Sequence, residues 1–193
     1  MMHEIDMWVV SKLIKSLKQN QNDAEPSRRF FVNLSGESLG DPEFCERLLR
    51  LVRESKLPRG TVNFEVTETV VIRHMSVARE LICELRELGC SVALDDFGSG
   101  VSSLTYVKEL QVDYLKIDGS FIRGVATDEV DHIFVKSVID IAHLSGIKTI
   151  AECVESDEIK KIVKSLGADF GQGYGIDRPT QLFHTDVSVS VKN

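Results

Sequence analysis

The chain has 193 residues, 42% of them hydrophobic and 27% charged, which is enough apolar material for one well-buried core and too little for two full domains. Its 23 Lys and Arg against 30 Asp and Glu give a formal charge of −7. That balance excludes the broad basic face needed to bind duplex nucleic acid and leaves metal-dependent chemistry open.

The opening stretch, MMHEIDMWVVSKLIKSLKQN, places acidic residues ahead of a short apolar patch and has no small-residue cleavage site. It therefore reads as neither a signal peptide nor a membrane segment, and a cytoplasmic location is the default expectation. The four cysteines, Cys45, Cys83, Cys90 and Cys153, form no C-x-x-C pair and read as reduced thiols. The one linker-like stretch is the polar run from Gln19 to Arg29.

Beyond it, short β-branched or aromatic runs alternate with helical periodicity. FFVNLS (Phe30 to Ser35) is a strand, followed by a helix that Asp41 caps, with Pro42 in its first turn and Phe44, Leu48, Leu49 and Val52 on one face. TVNFEVTE is the second strand, ahead of a helix from Ser76 that turns Val77, Leu81, Ile82, Leu85 and Leu88 inward and stops at Gly89. SVALDD (Ser91 to Asp96) leads through a Gly/Ser-rich loop to a short helical stretch. YLKID (Tyr114 to Asp118) leads to a helix near Thr127 to Leu144, and KTIAECV to a helix opened by Ser156 that carries Ile159, Ile162, Val163 and Leu166. The run ADFGQGYG comes last.

Six strand signals alternating with helices, each strand too apolar to face water, indicate a parallel sheet covered by helices. Polar residues gather at the C-terminal end of every strand: Asn33 and Ser35, Glu65 and Glu68, Asp95 and Asp96, Lys116 and Asp118, Glu152 and Glu155, then Gln172. A doubly wound sheet concentrates its ligand groups at one switch point, whereas a (β/α) barrel collects them from all strands at its top face. The expected fold is therefore an α/β TIM-type barrel.

Five or more carboxylates around one mouth require a cation or a proton between them. Oxygen donors dominate and the five histidines lie at the N-terminus, in helices or in the tail, so the expected ions are Mg²⁺ or Mn²⁺ and not zinc. Asp95 and Asp96 allow two readings. As strand neighbours they would point to opposite faces, one capping the following turn; at a frayed strand end both would reach metal ions, which suits in-line phosphodiester hydrolysis. FGSG then supplies hinge glycines. Lys116 either neutralises surplus carboxylates or holds the attacking water, and the two roles are compatible. Glu155 reads equally as a mouth residue or as a helix cap.

VNLS, FEVTET, DDFGSG, DYLKID, AECVE and GQGYGIDRP, in this order and at these separations, resemble the signature series of the EAL domain, a family that hydrolyses the bacterial second messenger cyclic di-GMP to the linear dinucleotide pGpG. The resemblance covers residues 4 to 184 and leaves 185 to 193 as a tail. It implies that Asn33, Glu65, Asp95, Asp96 and Glu152 are metal ligands of a two-metal Mg²⁺ or Mn²⁺ centre, with Ca²⁺ inhibitory. It further implies that Lys116, Glu152 and Gln172 serve catalysis, that Glu68 anchors the loop from Phe97 to Val107, and that Asp118, Glu155 and Pro179 line the substrate mouth. A homodimer, and sensor or GGDEF domains beyond the chain, belong to the same resemblance.

The chain departs from the family in one respect: it contains no Glu-Ala-Leu tripeptide, the family's first-strand motif, whose glutamate is a metal ligand and whose nearby arginine binds a substrate phosphate. Glu37-Ser38-Leu39 follows the VNLS strand and does not replace it. DMWVV at residues 6 to 10 is similar to the family's first long helix, which comes after that strand. The barrel is thus expected to lack its first strand, which fits a length well below the roughly 250 residues usual for such barrels. Turnover by this chain is expected to be weak or absent, and a non-catalytic cyclic di-GMP receptor or protein-interaction module is the alternative. The first helix, the DVSVSVKN tail or a second subunit is expected to cover the open sheet edge.

Overall fold

The computed structural model describes residues 1–20, 28–99 and 104–180. The elements run α1 (Met2–Gln19), β1 (Phe30–Leu34), α2 (Gly36–Leu39), α3 (Pro42–Ser55), β2 (Val62–Thr67), α4 (Glu68–Arg73), α5 (Met75–Glu87), β3 (Val92–Phe97), α6 (Leu104–Leu110), β4 (Tyr114–Ile117), α7 (Gly119–Gly124), α8 (Glu129–Leu144), β5 (Lys148–Ala151), α9 (Asp157–Leu166) and β6 (Phe170–Gly171). All strand pairs are parallel, and the strands follow one another in chain order from β1 to β6.

The sheet curls. In a flat sheet β1 and β4 would lie about 14 Å apart, yet the Phe31 and Tyr114 rings meet edge to face with centroids 5.5 Å apart. Tyr114 also stands 6.0 Å from the Phe170 ring on β6. The concave wall is that of a TIM-type barrel, built here from six described strands, with β1 and β6 as unpaired edges among the described residues.

Alternation along the strands divides two faces. Val32, Leu34, Phe64, Val66, Val92, Leu94, Leu115 and Ile117 are buried on the face turned to the helices. Burying a side chain of this size stabilises by about 1.5–3 kcal/mol. The other face carries Phe31 and Tyr114 toward the N-terminal end of the bore and Asn33, Glu65, Asp95 and Lys116 toward its C-terminal end. Neighbouring strands thus place chemistry at one level, with Asn33 opposite Glu65 in register.

Local signals account for the helix starts. Asp41 accepts hydrogen bonds from the Glu43 and Phe44 amides ahead of Pro42, and Ser156 accepts one from Ile159. The α3 stripe is buried as its spacing predicts. The second amphipathic helix is different: α5 starts at Met75 and buries Ala78 with Leu81, Ile82 and Leu85, while Val77 is exposed. Only Val163 of the α9 stripe is fully buried; Ile159, Ile162 and Leu166 pack partly covered against the core.

Two strands are shorter than their apolar runs suggest. β5 ends at Ala151 and β6 spans Phe170–Gly171, so Glu152, Glu155 and Gln172 lie just past strand ends. Glu37-Ser38-Leu39 belongs to α2, with Ser38 and Leu39 buried, on the helix side of the sheet. The first helix meets the edge strand: α1 packs against β1, α2 and α3 through Met7, Val10, Ile14 and Leu17. Its buried Asp6 accepts hydrogen bonds from the Ser35 amide at 2.8 Å and the Ser38 hydroxyl at 2.6 Å. The tail 185–193 lies outside the described residues. All four cysteines are free.

Candidate active site

The pair Asp95-Asp96 is resolved by an irregularity in β3. Leu94 pairs with Leu115 and Phe97 with Ile117, so β3 spends three steps where β4 spends two. The extra residue is a bulge, and it bends the strand where pairing ends. Asp96 there takes a left-handed conformation with φ 56°, one that aspartate tolerates better than most residues. Both carboxylates consequently reach the same mouth, and oxygens of Asp95, Asp96 and Glu152 lie within 4.8 Å of one another.

Gly98 fixes the turn that follows. Its φ is 102°, and a Cβ there would come within 2.7 Å of the Phe134 ring and 2.8 Å of the Phe121 ring. Those rings stack on each other 4.1 Å apart and leave room only for glycine.

At the centre of the mouth stands Lys116, only 3% exposed, with its Nζ 2.8 Å from Asp95, 2.8 Å from Glu152 and 3.0 Å from Glu65. Burial alone would lower its pKa, but the surrounding carboxylates hold the ammonium well above its ordinary value. One cation cannot satisfy the ring. Burial pushes the Glu65 and Glu152 carboxyls up in spite of Lys116, and Asp95 and Asp96 add to the rise. Asp96 is raised by burial and then by Asp95 and Asp118. The ring is short of positive charge, and its oxygen donors suit a hard divalent cation.

The remaining sequence-predicted residues are less closely drawn in. Asn33 is exposed on β1, level with Glu65. Asp118 caps α7 by accepting from the Ser120 amide at 2.7 Å, close enough to the mouth to act on Asp96. Gln172 holds its place through the backbone, its amide donating to Ala151 O and its carbonyl accepting from the Val154 amide; its side chain is exposed. Glu155 and Pro179 are also exposed. Glu155 does not cap α9, a task that falls to Ser156.

Glu68 does not extend β2 but opens α4, and it is 1% exposed. It accepts from the Gly98 amide at 3.1 Å and from the Tyr106 hydroxyl, so it ties the end of β3 to α6. Residues 100–103 of the expected loop lie outside the described residues. Sequence reasoning missed Tyr106, Phe121 and Phe134. Tyr106 stood unremarked inside the short helical stretch, and the two phenylalanines show no pattern until α7 and α8 are folded together.

The EAL domain family profile matches residues 1–179. The chain is 40% identical over 182 residues to the cyclic di-GMP phosphodiesterase PdeB of Shewanella oneidensis, covering 94% of this chain and 21% of that protein. It is 36% identical over 181 residues to the cyclic di-GMP phosphodiesterase PdeF of Escherichia coli, covering 94% and 24%. The chain therefore spans about a fifth to a quarter of the length of these curated relatives. Among solved structures, the FimX EAL domain of Pseudomonas aeruginosa bound to c-di-GMP superposes with TM-score 0.81 at 29% identity, covering 91% of this chain and 70% of that one. The EAL domain of Mycobacterium smegmatis DcpA gives TM-score 0.84 at 31% identity, covering 92% and 80%. The bulged Asp95-Asp96 pair and the carboxylate mouth sit in the sheet of a protein that belongs to the EAL domain family.

Proposed function

We propose that the mouth hydrolyses cyclic di-GMP to the linear dinucleotide pGpG. The observation that carries this reading is the convergence of Asp95, Asp96 and Glu152 within 4.8 Å beside a buried ammonium, in a chain whose relatives bear that activity in their names. Asn33, Glu65, Asp95, Asp96 and Glu152 would hold two divalent cations, Mg²⁺ or Mn²⁺. When bound, these ions supply Lewis-acid stabilisation of charge on the phosphoryl oxygens.

The protein's own groups do the rest. Lys116 orients the attacking water and balances the negative charge that grows on phosphorus. Glu152, its carboxyl raised by burial, accepts the proton that the water releases. Gln172 orients the water or ligand by hydrogen bonding, and Asp118, Glu155 and Pro179 border the substrate. The new oxygen–phosphorus bond forms as the bond to the 3′ oxygen breaks, and that oxygen takes a proton from solvent.

The reading carries with it a barrel unit over residues 1–184, a homodimer and a cytoplasmic setting, all supported by family resemblance; no described helix is long and apolar enough to cross a membrane. A second reading is a cyclic di-GMP receptor without catalysis, in keeping with the FimX EAL domain having been solved bound to c-di-GMP. Calorimetry with Ca²⁺, which fills such sites without supporting chemistry, followed by product analysis with Mn²⁺, separates the two. Uptake with slow pGpG formation supports the enzyme, uptake without product supports the receptor, and no uptake contradicts both.

A further inference from the structure

The opposite end of the barrel carries an unassigned feature. Where the strands begin, a cleft of about 700 Å³ is lined, among the described residues, by four cationic side chains, Arg29, Arg86, Lys108 and Lys148, and one carboxylate, Asp113. Its volume is within the range of small-molecule sites.

Both oxygens of Asp113 are engaged. Oδ1 accepts from Arg86 Nε at 3.3 Å and Oδ2 accepts from the Val92 amide at 2.9 Å. Arg86 and Asp113 thus neutralise each other and leave three positive charges over. Arg29 donates to the neutral Tyr114 hydroxyl, and Lys148 lies 5.9 Å from the Phe170 ring centroid. Among the described residues no carboxylate pairs with Arg29, Lys108 or Lys148.

Two of these residues are anchored, Arg29 through its side chain and Lys148 through its backbone. Tyr114 is buried between the Phe31 and Phe170 rings, which fixes the hydroxyl that orients the Arg29 guanidinium. The Lys148 amide donates to Asp113 O at 3.1 Å, which sets the lysine at the cleft wall. In a chain of net charge −7, such a local positive excess favours a ligand with several negative charges. A guanidinium fork with two ammonium groups matches the oxygens of linked phosphates better than those of one carboxylate. Tyr114 stands two residues before Lys116, about 7 Å along the strand, and its buried ring lies between the cleft and the carboxylate mouth.

We infer that this N-terminal cleft is a binding site for a small polyphosphate-bearing anion, separate from the mouth. The test titrates inorganic tripolyphosphate into the chain by calorimetry in the presence of EDTA, so that no divalent cation can hold an anion at the carboxylates. Sodium sulfate at matched ionic strength is the control. One saturable site is expected, at least tenfold weaker in the Arg29→Gln/Lys148→Gln variant, with an unchanged circular dichroism melt. Lys108→Gln, on a different element, weakens it in the same direction. ATP binding as tightly as tripolyphosphate assigns recognition to the phosphate chain alone, and tighter ATP binding assigns a nucleotide. No saturable uptake, an equal response to sulfate, or uptake undiminished in both variants overturns the inference.

Discussion

Asp95 and Asp96 are consecutive residues whose carboxylate oxygens lie within 4.8 Å of each other, because the β3 bulge and the positive φ of Asp96 cancel the alternation of a regular strand. Asparagine tolerates the same backbone conformation. Asp96→Asn is therefore expected to lower Mn²⁺ affinity at least tenfold while moving the metal-free melting temperature by no more than a few degrees, as read by calorimetry and thermal melts. Asp96→Val, which forces a β-branched residue into that conformation, is expected to destabilise by about 1–3 kcal/mol.

Removing the ammonium at the centre of the ring tests the charge balance. Lys116→Met leaves Glu65, Asp95 and Glu152 facing one another without a counter-ion, and the expected loss is about 3–5 kcal/mol at neutral pH. Mn²⁺ is expected to restore part of it. Urea denaturation of wild type and variant, with and without the ion, measures both effects.

The tie between Glu68 and Tyr106 is expected to support the turn that presents Asp96. Tyr106→Phe deprives a buried carboxylate of a hydrogen-bond donor, which costs about 1–3 kcal/mol. Because Glu68 also holds the Gly98 amide, Mn²⁺ affinity should fall along with the melting temperature. A melting temperature that drops with affinity unchanged would separate Glu68 from the site.

Away from the mouth, Asp169 gives a pH prediction. Burial alone would raise its carboxyl, but hydrogen bonds from Thr149 and His143 hold it below its ordinary value. A lowered folded-state pKa stabilises above the unfolded value, near 3.9, and that stabilisation is lost as the pH falls through the folded value. Asp169→Asn is thus expected to cost about 1 kcal/mol at pH 7 and progressively less below pH 4, as denaturation at the two pH values reports.

The sheet was legible in the sequence because every strand is a short apolar run between turn signals, and because the polar residues at the ends of these runs repeat in phase. Asp41 and Ser156 announce their helices by cap chemistry alone. What the pattern could not carry is whatever depends on a single backbone angle or a distant partner. The bulge at Asp96 turns both carboxylates to the same mouth, and no periodicity encodes it. Glu68 reads as part of a strand until α4 is seen to begin there. Phe121 and Phe134 meet Gly98 only after two helices have packed. On α5 the inward place expected for Val77 is taken by Ala78, whereas α9 keeps the face its spacing predicts.

The central claim is that this ring of oxygens around Lys116 supports phosphodiester hydrolysis. The most direct measurement is turnover of cyclic di-GMP with Mn²⁺ by the chain fused to a strand bearing a Glu-Ala-Leu tripeptide, followed by chromatography. Accumulation of pGpG, abolished by Asp96→Asn, is the predicted result. Intact cyclic di-GMP after prolonged incubation, with Mn²⁺ binding demonstrated in the same sample, would contradict it.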